Sequence, residues 1–151
     1  MWDVRFASRH TYSSPPGRRP HLTVGIGLGA APEFYTTAFV DTGCTDTVFD
    51  GDLLVPLGFD RLAAFDPGDG TCKSFESANG QVSRARSISV NLKVLDDVHQ
   101  MTVWGTLDGY TLNRNLLGLD FVRRYVLALD DDQGEILLHN LATNTRQITE
   151  V

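Results

Sequence analysis

The chain has 151 residues, 42% of them hydrophobic and 21% charged, the ordinary composition of one globular domain that buries about two thirds of its unfolded surface. Lys+Arg 13 against Asp+Glu 19 gives a net charge of −6, without the basic excess of an electrostatic nucleic-acid binder. No apolar run approaches the ~20 residues that span a bilayer, and two cysteines, Cys44 and Cys72, cannot build a disulfide framework or a four-cysteine metal site.

The expectation is therefore a reduced, cytoplasmic domain with no nucleic-acid or membrane partner. Residues 1–20 include Ser13, Ser14, Pro15, Pro16, Gly17 and Pro20, too little apolar area for a core, and read as a flexible N-terminal arm. From His21, the apolar residues Leu22, Val24, Ile26 and Leu28 alternate with Thr23, Gly25, Gly27 and Gly29, the period of a strand with one buried face. Phe34 to Val40 is rich in aromatic and β-branched residues and predicts a second strand. A short helix is expected over residues 50–55. Ile88, Val90, Leu92 and Val94 alternate with polar partners in the clearest strand of the chain, and another surrounds Met101 and Val103. A second short helix is expected over residues 119–124, then a terminal hairpin pairing Tyr125 to Leu129 with Ile136 to Leu138. No repeat is visible, and the class is mainly β.

Residues 25–30 fit the G-x-G-x-x-A form of a dinucleotide fingerprint, but the fingerprint needs a helix to begin inside it. Pro32 and a β-rich run follow instead, so a strand with small, closely packed residues is the better reading. His10, His21, His99 and His139 have no metal-ligand spacing, and neither a metal nor a cofactor is expected. A nucleophilic Cys44/His99 pair has no positive support, and Cys44 reads as a small packed thiol.

The informative segment runs from Phe39 to Phe49, where an apolar strand leads into Asp41-Thr42-Gly43 and out through Asp46-Thr47-Val48. An Asp at the end of a buried strand is costly unless paired or hydrogen-bonded, and Gly allows a sharp turn and a close approach. Alone, Asp-Thr-Gly is better read as a β-turn. Two further segments accompany it. Asn79-Gly80 lies inside residues 75–82 and is a strong hairpin signal, predicting a two-residue turn with positive φ at both positions. Asn115-Leu116-Leu117-Gly118 then leads into the second helix.

In that order and spacing the three segments resemble the retropepsin-like aspartic proteases, especially the retroviral form. The resemblance covers residues 21–140 and leaves 141–151 as a C-terminal tail. It implies a single-lobe acid protease fold, a closed barrel-like β domain with one short C-terminal helix. It further implies that Asp41 is the catalytic aspartate, that Thr42 locks two active-site loops together, and that Gly43 lies beside the substrate. Ala78, Asn79 and Gly80 resemble the tip of a flap over a bound peptide, Asp46 a residue lining the cleft, and Leu116, Leu117 and Gly118 the support beneath the active-site loop. Cys44 departs from the usual Ala or Ser. The Arg and Asp that pair in retroviral relatives are replaced by Leu119 and Thr45, a double loss that strands no buried charge. With one Asp-Thr-Gly per chain, the implied enzyme is a homodimer acting on a peptide or protein substrate. The alternative is a non-proteolytic module that keeps the fold for dimerisation or peptide binding.

Overall fold

The computed structural model describes residues 2–4, 8–11, 20–77, 79–130, 133–141 and 148–150. In chain order the elements are β1 (Trp2–Val4), β2 (Ser8–Thr11), β3 (His21–Gly27), β4 (Phe34–Val40), β5 (Val48–Phe49), α1 (Gly51–Leu54), β6 (Cys72–Glu76), β7 (Val82–Val94), β8 (Asp97–Thr106), β9 (Asn115–Leu117), α2 (Leu119–Val122), β10 (Tyr125–Asp130), β11 (Glu135–Asn140) and β12 (Ile148–Glu150). A 3-10 turn, Val55–Leu57, continues α1.

The strands β3-β4-β9-β5-β8-β7 follow one another around a sheet, and β7 pairs back with β3 through Gly25↔Lys93, Ile26↔Leu92 and Gly27↔Asn91. That last pairing closes a six-stranded barrel. Closure removes the open edges that would otherwise template aggregation. β6 lies outside the barrel, paired to β7 as an edge strand. A three-stranded sheet runs β10-β11-β2, so residues 8–11 of the N-terminal segment extend the terminal hairpin, and β1 pairs with β12.

Alternation within the strands builds one core. Leu22, Val24 and Ile26 of β3 meet Ala38 and Val40 of β4, Leu92 and Val94 of β7 and Val103 of β8, all 5% exposed or less. Phe121 of α2 and Ile136 and Leu138 of β11 are also fully or almost fully buried and join the same cluster. The glycine-rich start is a strand, as expected, because a Cβ on Gly25 would lie 2.6 Å from Pro32 Cγ and no helix begins there. No helix among the described residues is long and apolar enough to cross a membrane.

Two pairings decide where the functional loop sits. β4 and β9 run parallel, with Ala38↔Asn115, Phe39↔Leu116 and Val40↔Leu117 in register, and β5 pairs with both β9 and β8. Residues 41–47 therefore leave the barrel at the end of β4 and return to it at β5 directly above β9.

Candidate active site

Asp41 continues the parallel pairing, its N–H donating to Leu117 O at 2.9 Å. Its carboxylate turns back on the loop: Oδ1 accepts from Gly43 N at 2.9 Å, and Asp41 O accepts from Cys44 N at 3.3 Å. The side chain is half-buried, while Thr42 and Gly43 are exposed. The Thr42 hydroxyl makes no hydrogen bond among the described residues of this chain.

The return of the loop is held from below. Asp120, in the first turn of α2, accepts from Thr47 N at 3.0 Å on Oδ2 and from Thr47 Oγ1 at 2.6 Å on Oδ1. The Thr47 hydroxyl in turn accepts from Gly118 N at 3.2 Å. Thr47 is completely buried, and every polar atom named there is satisfied, as burial requires. Leu119 N and Asp120 N donate to Cys44 O and Thr45 O at 2.8 and 3.2 Å. Gly118 is the residue that permits this approach, since a Cβ there would collide with the Asp46 carbonyl. Leu117 is fully buried under the loop and Leu116 partly so. Of the three residues expected to support the loop, Leu117 meets Asp41, Gly118 meets Asp46, and Leu116 pairs with Phe39 and Val48. Asp120 and Thr47 add a grip that the sequence reading did not single out.

Asp46 faces away from this support. Its Oδ2 accepts from Thr45 Oγ1 at 3.0 Å and pairs with Lys73 Nζ of β6 at 2.5 Å. The Cys44 thiol donates to Asp46 O at 3.0 Å. Burial pushes that thiol up from its ordinary value, with the Asp41, Asp46 and Asp120 charges adding to the effect and the bond to Asp46 O opposing it, which disfavours the thiolate that a nucleophile needs. His99, its conceivable partner, is committed elsewhere. Tyr125 Oη donates to Asp97 Oδ2 at 2.9 Å, which leaves the 2.6 Å contact with His99 Nε2 for a ring N–H and assigns that tautomer. His99 Nδ1 then faces Arg124 Nη1 at 3.5 Å. Burial, helped by the Arg124 charge and opposed by Asp97, holds the imidazole below its ordinary pKa.

Phe39, two residues before Asp41, shares its face of β4 with Thr37. Arg114 stacks over the Phe39 ring at 4.2 Å. A cavity of about 430 Å³ opens beside this stack, lined by Thr37, Asp50, Leu53, Leu112 and Arg114.

The hairpin of β6 and β7 ends in the turn that the sequence places at Asn79-Gly80. Gly80 has φ +83°, and its N–H donates to Ser77 O at 2.9 Å, while Ser77 N donates to Gln81 O at 2.8 Å. This corrects the two-residue turn: Asn79 and Gly80 occupy the third and fourth positions of a turn starting at Ser77, and left-handed Gly80 leads back into the ladder. Asn79 Oδ1 accepts from Gln81 N at 3.2 Å and from the Ser77 hydroxyl. Ala78 lies outside the described residues. Among the described residues, the side-chain hydrogen bonds of this tip stay within residues 77–81. Among the described residues no group of three or more His, Cys, Asp or Glu is placed to hold a metal.

No family model matches the sequence, and no curated protein matches it. Solved structures do. The crystal structure of a retropepsin-like aspartic protease from Rickettsia conorii aligns over 92% of this chain and 96% of its own, with 16% identity and a TM-score of 0.54. EIAV protease complexed with the inhibitor HBY-793 aligns over 74% of this chain and 91% of its own, with 14% identity and a TM-score of 0.52. The chain has the retropepsin-like fold. Within that fold the Asp-Thr-Gly loop is the exit from β4, and residues 115–120 form the ledge on which it rests. What the sequence reading of the retropepsin-like fold missed was the side-chain traffic between distant segments: Asp120 with Thr47, Lys73 with Asp46, and Asn115, whose Nδ2 donates to Thr37 O at 3.1 Å while its Oδ1 accepts from Asp50 N at 2.9 Å. An acidic residue in the first turn of a four-residue helix was the one available signal for Asp120.

Proposed function

We propose that the chain is an aspartic endopeptidase, active as a homodimer, that hydrolyses peptide bonds with a water held between two Asp41 carboxylates, one from each copy. The observation that carries this reading is the placement of Asp41. Its carboxylate sits at the lip of a loop braced on its support side by Leu117, Gly118 and Asp120. Thr42 and Gly43 face outward beside it.

The chemistry needs one carboxylate as base toward water and one carboxylic acid toward the scissile carbonyl. Two carboxylates about 3 Å apart do not both ionise, so the pair shares one proton; aspartic proteases are the standard example. The two titration steps belong to the pair and not to either residue. The sequence holds a single Asp-Thr-Gly, so the second carboxylate comes from a second copy across a two-fold axis. The exposed Thr42 hydroxyl is free to bond across that axis. An extended peptide would lie between the cleft floor at Asp41 and Asp46 and the flaps tipped by Ala78, Asn79 and Gly80, held by main-chain hydrogen bonds.

The test is Asp41→Asn, which keeps the size of the side chain and removes both base and proton. Cleavage of a diverse peptide mixture should fall to background while thermal stability and dimer formation persist. Wild-type specific activity should also fall on dilution through the dimer dissociation range. Undiminished cleavage by the variant, or cleavage by a sedimenting monomer, would refute the reading. A wild-type dimer that cleaves nothing would instead mark the non-proteolytic module.

A further inference from the structure

We infer that Lys73 is a positioning residue for this reaction: it clips the stem of the flap to the loop that carries Asp41. The inference rests on the protease reading for its catalytic consequence, although the clip itself is a structural claim.

Lys73 and Phe75 stand two residues apart on β6 and project from one face of it. That face meets two anchors. Lys73 Nζ lies 2.5 Å from Asp46 Oδ2, 5.5 Å from the centre of the Trp104 ring and 5.6 Å from that of Phe75. Phe75 and Trp104 are themselves edge to face at 6.1 Å. The ammonium is thus held by a carboxylate and two aromatic rings, an arrangement that favours a cation over a neutral group. Both anchors belong to the active-site loop or are bonded to it. Asp46 lies within the loop, its carbonyl side packed on Gly118, and Trp104 N donates to Thr47 O at 2.9 Å. Through Thr47 the connection reaches Asp120 and the ledge under Asp41.

β6 is the edge strand of its sheet and hydrogen-bonds along its ladder to β7 alone. A side-chain clip on its inner face therefore sets how the flap stem lies against the cleft floor. The clip is a weak one. The Lys73 side chain is 44% exposed and that of Asp46 20%, so water and salt screen the pair. Weakness suits the task, because a flap has to release and close at every turnover. A chain with its clip removed spends more time with the stem undocked, and substrate binding must first redock it. That penalty raises KM and leaves kcat nearly unchanged.

The experiment uses a blocked peptide with no charged side chains, at a protein concentration where assembly is complete. Lys73→Met keeps the stem that packs on the rings and removes the charge. It should raise KM roughly two- to fivefold, with kcat little changed, and Lys73→Arg should restore the wild-type value. Raising salt from about 0.05 to about 0.5 M should carry wild-type KM toward that of Lys73→Met and leave the variant unmoved. Amide hydrogen exchange across residues 72–86 should be faster in Lys73→Met than in wild type, with or without peptide. Exchange rates equal to wild type in Lys73→Met, or a wild-type KM indifferent to salt, would overturn the clip. If the wild-type chain cleaves no peptide, the protease reading fails and the exchange measurement still decides the clip.

Discussion

The two ends of α2 carry two polar clusters of similar chemistry and different use. At its start, Asp120 holds Thr47 and through it the loop bearing Asp41. Just beyond its end, Arg124 and Tyr125 join His99 and Asp97 in a chain of contacts, Arg124 to His99 to Tyr125 to Asp97, with His99 packed edge-on against both Phe121 and Tyr125. Both clusters join segments far apart in sequence, and both satisfy groups that burial would otherwise penalise. The first fixes the backbone of the loop to which the proposal assigns catalysis, the second fastens β8 to β10 away from that loop. On that proposal a four-residue helix serves function on one side and stability on the other, and perturbing the two clusters should separate the roles.

The largest effect is expected at Asp120. Asp120→Ala leaves the buried Thr47 N–H without its acceptor and should cost about 3 kcal/mol of stability, measured by urea denaturation. Peptide turnover, compared where both proteins are folded, should fall at least tenfold, and Asp120→Asn, which keeps one acceptor, should lie between. Turnover unchanged in folded Asp120→Ala would erase the functional half of the comparison.

A smaller, purely structural loss is expected at Tyr125. Tyr125→Phe strips the acceptor from His99 Nε2 and the donor from Asp97, costing about 1–2 kcal/mol. Turnover of the folded fraction should match wild type. A matched loss of turnover would mean that this cluster also shapes the loop.

The smallest effect is a pH dependence confined to the second cluster. His99 titrates below its ordinary value when folded, because burial and Arg124 oppose its charge more than Asp97 favours it. Below about pH 6.5 the unfolded chain therefore binds more protons at this site than the folded one. Its contribution to stability is unchanged above that pH and declines as pH falls through it. Thermal melts between pH 8 and pH 5 should show the decline, and His99→Gln, which can still donate to the Tyr125 hydroxyl, should flatten that part of the curve.

Much of the fold was legible because buried apolar residues alternate: β4 spans the expected Phe34–Val40, β3 and β8 of the barrel lie where the pattern put them, and so do β10 and β11 of the terminal hairpin. β7 was only half legible. It begins at Val82, but Val82 is exposed and the first buried positions are Ser83 and Ala85, a polar residue and a small one that make a weak apolar signal. β5 and β9 are two and three residues long, too short for any period, and take their places from pairing with distant strands. The same distance hid the grip on the loop. Thr47 and Asp120 are 73 residues apart, and Lys73 and Asp46 are 27 apart, separations that no local pattern encodes. The meeting of Asp41 with residues 117–118 was legible because both segments are short motifs, whereas the turn at Gly80 was misplaced by one residue because Asn-Gly also ends longer hairpin loops.

The parallel pairing of β4 with β9 also has a temporal side. Thr37 and Asn115 meet although 78 residues separate them, and Asp41 takes its position only once Leu117 lies alongside. Contacts this remote form late, because the intervening chain must first be ordered. On a growing polypeptide, the loop carrying Asp41 is made before residues 115–120 and lacks their support until they have emerged. A nascent chain therefore holds Asp41 before the ledge that positions it exists, and the site proposed around Asp41 can assemble only after that ledge has folded against β4.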